Sequence, residues 1–463
     1  MRGGQNIMGG VDWWLILIYL IFVSFGLSTI YSAVSEPDQA FIFDMSKEYG
    51  KQLMWIGISL FIGFIILLLD GSFIIKNSYW AYAATMVLLL LVLFTKPING
   101  ARSWFGIGSV GIQPSEFAKI GVSLALARYL SMKSLLIKNR KRSVNSTFSI
   151  ASSITSILES IQSNIPIFII LGIPSILVLL QPDAGTFIVF TSFILVLYRE
   201  GFAGNVLLFG IVSVFIAVIT LLVADTIFFI PFTKVMLSGK FGVFLVILFL
   251  GLLFYLAISR LIQPRERKSL YKALIGSMII SIIFINVVEL GYSNILKKHH
   301  RDRIDLVLGK IEDPNGKGYN INRAKAAIGS GGFSGKGYRQ AKLASANQRH
   351  VPEHSTDFIF CTWSEERGFL GSAGLVILFM VFLLKIVLIA ERQKSRFTRI
   401  YAYSVAGIFF YHFMINIGMA IGLAPVIGIP LPFFSYGGSG MMSFSILLFI
   451  LIKLDAERKS ILQ

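Results

Sequence analysis

The chain reads as an all-α, polytopic integral membrane protein, and three observations lead there. Of its 463 residues, 55% are hydrophobic and only 14% are charged, whereas soluble domains carry about 25% charge. Continuous apolar runs of about 17–25 residues recur, each long enough to cross a hydrocarbon core of about 30 Å. The runs do not alternate polar with apolar residues, which selects helices over a closed barrel.

The runs lie near 13–33, 50–70, 77–95, 114–131, 165–182, 184–199, 204–223, 241–259, 271–291, 368–390, 400–423 and 439–453. That is about twelve spans. The first run is too long for a signal-peptide core and more spans follow, so no cleavable leader is expected. Short basic loops set the orientation. Lys138–Arg142 lies in one connection, Arg260, Arg265, Arg267, Lys268 and Lys272 in a second, and Arg392, Lys394, Arg396 and Arg399 in a third; Arg458 and Lys459 lie in the tail. An even number of spans puts all of these and both termini on one side, which is cytoplasmic. Loops 34–49, 96–113, 223–240, 292–366 and 424–438 then face outward. Loop 292–366 is also basic, but loops this long escape the charge rule. Segment 132–163 is polar and Ser-rich, and reads as a solvated cytoplasmic insertion. There is no clear internal repeat and no separate soluble domain. The net charge of +18 is concentrated at span ends, which argues against nucleic acid as a partner. The single Cys361 excludes an intrachain disulfide and a multi-cysteine metal site, and reads as a small buried hydrophobe.

Ionisable residues inside spans are costly and usually line a polar cavity. Gln113-Pro114-Ser115-Glu116-Phe117-Ala118-Lys119 opens the fourth span, with Pro114 suited to a first helical turn. Glu116 and Lys119 are three apart and share a helix face; they are either a plain helix-start ion pair or part of a functional cavity. Arg102 and Trp104 precede them as a cation and an interfacial aromatic. Asp183, in Gln181-Pro182-Asp183-Ala184-Gly185-Thr186, either caps the next helix or faces the same cavity. Residues 328–337, Ile-Gly-Ser-Gly-Gly-Phe-Ser-Gly-Lys-Gly, look like a phosphate loop. They fail the Walker pattern, with Ser330 where Gly is needed and Gly337 after Lys336, and Ser334 breaks G-x-G-x-x-G. A tight turn whose free amides meet a phosphate stays open. Four of the five histidines, His299, His300, His350 and His354, fall in loop 292–366 without zinc-like spacing. The last signature is Asn416-Ile417-Gly418-Met419 followed by residues 422–439, where Pro and Gly are so dense that a regular helix is excluded, so this backbone must be buried in protein or line a cavity.

Together these stretches resemble the SEDS family, the RodA/FtsW/SpoVE polymerases of bacterial peptidoglycan. The resemblance rests on 113–119, 181–186, Asp313-Pro314 followed by Gly318-Tyr319, 327–332, Pro352–Phe360, Glu365-Glu366 and the Pro/Gly signature. It runs from the first span to the last, and residues 332–337 with 355–362 look more like RodA than FtsW. The family implies about ten core helices with a large extracytoplasmic loop, so about two extra spans are expected here, placed within 224–291. Gly440 also departs from the Ser or Ala that often follows Ser439.

The resemblance implies glycosyl transfer from lipid II: an acceptor hydroxyl attacks the anomeric carbon of the growing glycan strand, undecaprenyl diphosphate leaves, and an α-linked donor becomes a β-1,4 glycan. One inverting displacement needs a base at the hydroxyl and positive charge at the diphosphate. The family's essential loop aspartate falls on Asp313, the expected base; its neighbour Glu312 should matter much less. Expected substrate contacts are Arg102, Gln113, Glu116, Lys119, Asp183, Lys325 and Lys336, with the cations among them facing the diphosphate. A divalent cation, Mg or Mn, would help, but no complete ligand set is visible. The implied partners are a class B penicillin-binding protein transpeptidase and the elongation machinery. The alternatives are a lipid II flippase, which would also want mid-membrane charges and broken helices, and FtsW-type duty in division.

Overall fold

The computed structural model describes residues 10–35, 43–97, 102–107, 110–140, 150–201, 216–223, 227–229, 236–261, 263–295, 301, 319–343 and 353–458. Two compact units divide the chain, one made of residues 1–200 and 320–463 and the other of 201–319.

In the larger unit, α1 (Trp13–Val34) opens at Asp12, whose carboxylate accepts from Leu15 N at 3.3 Å. Helices α2 (Glu48–Leu68), α3 (Gly71–Lys76) and α4 (Ser78–Val92) follow. A small antiparallel hairpin, β1 (Phe105–Ile107) and β2 (Val110–Ile112), pairs Gly106 with Gly111 and leads into α5 (Pro114–Arg140). Pro114 stands at the first position of α5, where its missing N–H costs nothing. Helix α6 (Ile150–Leu180) carries Pro166 and Pro174 internally. Helices α5 and α6 therefore reach well into the polar segment 132–163, so much of that expected connection is helix.

The span expected over 184–199 is two short helices, α7 (Ala184–Phe190) and α8 (Phe193–Arg199). At the break the N–H groups of Thr191 and Ser192 bond three residues back, to Ile188 and Val189, and the Thr191 hydroxyl also donates to Ile188 O. Tighter turns of this kind, with a competing hydroxyl, interrupt an α-helix.

In the smaller unit, hairpin β3 (Ile227–Phe229) and β4 (Met236–Ser238) precedes α9 (Gly239–Leu261) and α10 (Pro264–Leu290). These two helices pack on each other through stacked Tyr255 and Tyr271, with Lys240 paired to Glu289. Only 6% of the apolar stretch of α10 is buried, the character of a lipid-facing helix.

The larger unit closes with α11 (Tyr319–Ser330), α12 (Ile359–Glu391), α13 (Arg396–Ile421) and α14 (Gly438–Ala456). Its core is α14, 83% buried over its apolar stretch, flanked by α2, α5 and α13. Phe22 stacks on Phe379 at 4.1 Å, and Phe382, Phe409, Phe433 and Phe444 continue the cluster. Lipid is as apolar as these rings, so close packing and internal polar bonds hold such helices together, not escape from water.

Among the described residues seven helices are long and apolar enough to cross a membrane, and three shorter apolar helices cover 78–92, 165–180 and 184–199. The protein is a multi-pass, all-α membrane protein. Helix α5 fills the expected fourth span but falls short on hydropathy because Glu116, Lys119 and Arg128 lie in it. Most of the expected span 204–223 lies outside the described residues.

Candidate active site

The first turns of α5 carry the charged centre. Lys119 is fully buried, and Glu116 is 4% exposed. Their spacing of three brings Lys119 Nζ to 2.8 Å from Glu116 Oε2. The same carboxylate oxygen accepts from Ser443 Oγ of α14 at 3.1 Å. Lys119 Nζ also lies 2.8 Å from His412 Nε2 of α13, and 4.7 Å from the Phe444 ring centre. A buried ion pair of this kind is tolerable only when its remaining hydrogen-bonding capacity is met, and here α13 and α14 meet it.

A second polar group adjoins the first through Ser115. Asp183 caps α7 by accepting from Thr186 N at 3.0 Å. Its other oxygen accepts from Gln113 Nε2 and Ser115 Oγ, both at 2.9 Å, and from Thr186 Oγ1 at 2.8 Å. Asp183 therefore caps α7 and also ties it to Gln113 and Ser115 at the start of α5.

The Pro/Gly segment 422–437 is non-helical throughout. It begins where Gly422, at φ 80°, ends α13 in the left-handed conformation, and α13 holds it from one face. Asn416 Nδ2 donates to Ile429 O at 2.7 Å and to Asp357 O at 2.8 Å. Ile427 N donates to Met419 Sδ at 3.1 Å. His412 Nδ1 lies 3.1 Å from Pro430 O. Positions 412, 416 and 419 share one helix face, so the segment is tied to α13 along a single line. Gln52 of α2 holds its far end, accepting from Gly437 N at 3.1 Å.

The remaining expected contacts lie in other surroundings. Arg102 is exposed, and its Nη1 donates to Leu93 O at 3.3 Å. The exposed Lys325 reaches over Gly422, at the C-terminal end of α13, where carbonyl dipoles favour a cation. Lys336 pairs with the fully buried Glu365 at 2.6 Å and donates to Ser330 Oγ at 2.7 Å. In the turn 331–337 the amides of Gly331, Gly332, Gly335, Lys336 and Gly337 are committed to backbone carbonyls of the protein. Gly335 N bonds Gly331 O, Lys336 N bonds Glu365 O and Gly337 N bonds Glu366 O, while Phe369 N and Leu370 N return bonds to Gly332 O and Phe333 O. The glycines there let two backbones touch.

Asp313 and Glu312 lie outside the described residues, as do His299, His300 and His350. Among the described residues no group of three or more His, Cys, Asp or Glu side chains converges as a metal site would require. Cys361 is a free, buried thiol. Sequence reasoning missed His412 and Ser443; Asn416 stands at the start of the final signature, where the sequence assigns it no role of its own. The one available signal was that His412 is an ionisable residue inside an apolar helix.

A many-helix membrane fold with a charged centre sealed beneath a Pro/Gly segment defines the class. Within it, the family model described as a cell cycle protein, FtsW/RodA/SpoVE, matches residues 12–235 and 270–460, and the chain belongs to that family. The unmatched residues between those limits fall inside the stretch expected to hold the extra helix pair. The peptidoglycan glycosyltransferase RodA of Treponema pallidum is 30% identical, over 96% of this chain and 98% of its own length. The stage V sporulation protein E of Bacillus subtilis is 27% identical, over 93% of each chain. Among solved structures, a chain of a peptidoglycan synthase complex matches with a TM-score of 0.61 at 24% identity, covering 97% of this chain and 98% of its own. A Thermus thermophilus RodA mutant matches with a TM-score of 0.51 at 22% identity, over 97% and 98% of the two chains.

Proposed function

We propose that the protein is a peptidoglycan glycosyltransferase that polymerises lipid II into glycan strands for cell-wall elongation. The observation that carries this is the end-to-end match to a relative named for that activity, 30% identical over 96% of the chain, on a fold whose polar centre is sealed inside the helices. In this reading the protein sits in the bacterial cytoplasmic membrane with both termini inside, and loop 292–366 faces the cell wall, where no nucleotide is available. The donor carries its own activated leaving group, a lipid diphosphate.

Asp313 acts as the base that takes the proton from the acceptor hydroxyl as the new glycosidic bond forms and the diphosphate departs. The polar groups at the head of α5, with Arg102, Lys325 and Lys336, are the candidates for holding substrate, and a divalent cation is a further proposed aid to the leaving diphosphate. The Glu116–Lys119 pair is enclosed by α13 and α14, so it acts by holding the head of α5 in place. Strands made here need cross-linking, and the proposed partner is a class B penicillin-binding protein; a neighbour of the same fold comes from a peptidoglycan synthase complex.

The test is purified full-length protein with labelled lipid II, glycan length being read on a gel. The expected result is polymer from the wild type and from Glu312→Ala. For Asp313→Ala the rate should fall by about 10²–10⁴, the usual cost of losing a general base. Wild-type protein that makes no polymer with or without Mg or Mn refutes the activity; normal polymer from Asp313→Ala refutes the base.

A further inference from the structure

Two polar pins at the heart of the larger unit share one imidazole. His412 meets a backbone carbonyl through Nδ1 and an ammonium through Nε2, at 3.1 and 2.8 Å. A carbonyl only accepts, so Nδ1 carries the proton and donates to Pro430 O. An ammonium only donates, so Nε2 presents its lone pair to Lys119. The two partners thereby fix one neutral tautomer. His412 is 2% exposed, and the Phe444 ring stands edge-on to it at 4.7 Å, so neither bond can be replaced by water.

We propose that His412 is a positioning residue for the transfer reaction, coupling the Glu116–Lys119 pair in α5 to the Pro/Gly segment through Pro430. This rests on the glycosyltransferase reading, and on the chain of bonds from Ser443 through Glu116, Lys119 and His412 to Pro430. That chain joins α14, α5, α13 and the Pro/Gly segment. Asn416, one turn on, takes Ile429 O but makes no bond to α5, so His412 alone among the α13 pins reaches the ion pair. Without it the Pro430 carbonyl loses its donor, the ammonium keeps one partner, and the segment drifts relative to the head of α5. Misplacement of about 1 Å remote from the chemistry costs up to about 10²-fold in rate.

The test compares His412→Gln, His412→Asn and His412→Phe in full-length protein. Glutamine offers one acceptor and one donor at nearly the reach of the imidazole; asparagine offers the same pair one methylene short; phenylalanine keeps the ring and loses both bonds. The expected result is kcat lowered about 10–100-fold in the Phe and Asn variants, KM for lipid II changed less than about twofold, and kcat largely retained in the Gln variant. A second readout needs no activity. With Val426→Cys added, and Cys361 silent because it is fully buried, a water-soluble maleimide should label faster in the Phe and Asn backgrounds than in the His and Gln backgrounds.

Equal kcat and equal labelling in His412→Phe and wild type overturn the coupling, as does a folded Gln variant as impaired as Asn. If the Phe variant fails to fold, the contrast between Gln and Asn decides. A wild type silent with lipid II whose labelling still follows this order removes the glycosyltransferase reading and leaves the coupling standing.

Discussion

Glu116 and Asp357 show how differently two carboxyl groups behave in one protein. Glu116 is held by Lys119 and Ser443. Removing one member of a buried pair strands the other charge, at a cost of about 3–5 kcal/mol. Glu116→Ala and Glu116→Gln both leave the Lys119 ammonium without its counter-charge, so both should lower thermal stability in detergent sharply; an unchanged midpoint in both would show that the pair is not what holds α5. Asp357, just ahead of α12, has its carboxyl pushed up from 3.8 to about 7, first by burial and then by the nearby Glu353 charge. The folded protein thus keeps a proton there that the unfolded chain gives up near pH 4. The cost of that mismatch grows as pH rises from about 4 and is fully developed above about 7. Asp357→Asn should accordingly raise the melting temperature more at pH 8 than at pH 5. The same shift at both pH values would show that this carboxyl does not titrate in that window.

Helix α12 illustrates an element shaped by contact, not propensity. Gly368 interrupts it at φ 64° and ψ −161°, a region open essentially to glycine. A Cβ there would run into Gly335 N and Phe333 O. Gly368→Ala should cost at least the roughly 1–3 kcal/mol of such backbone strain and loosen the turn that carries Lys336. Thermal melting in detergent checks it, and an unchanged midpoint would mean the two backbones separate freely. The apolar run of this helix was legible because continuous hydrophobicity needs no partner to be recognised. Its extension to Ile359 was not, since Thr362, Ser364, Glu365 and Glu366 are helical only by virtue of what they bond. The break at Thr191–Ser192 was marked only by that pair of hydroxyls inside the apolar run 184–199, too slight a signal to divide a span.

At the scale of the molecule, the seven long and three shorter apolar helices among the described residues follow the expected spans closely, and Glu116 and Lys119 were singled out because ionisable residues are unusual at the head of an apolar span. His412 and Ser443 escaped because their partners Lys119 and Glu116 lie 293 and 327 residues away, and spacing along the chain carries no trace of them. The proposed orientation rests on loop charge alone and is open to a direct check. Asn315→Cys should react with a membrane-impermeant thiol reagent on intact cells stripped of their outer barrier, and Asn139→Cys should not; the reverse pattern would invert the topology and move loop 292–366 to the nucleotide-rich side.

Lys119 leaves the ribosome 293 residues before His412, and Glu116 precedes Ser443 by 327. At about 5–20 residues per second, the wait for His412 lasts roughly 15–60 s. Through that interval the two charges of α5 have only each other against the bilayer, in a helix too polar to be held there by hydropathy. Its early neighbour α4 and the insertion machinery have to shelter it until the last two helices are made. Biogenesis of this chain is therefore not a series of independent insertions, since its fourth span is finished by its final two.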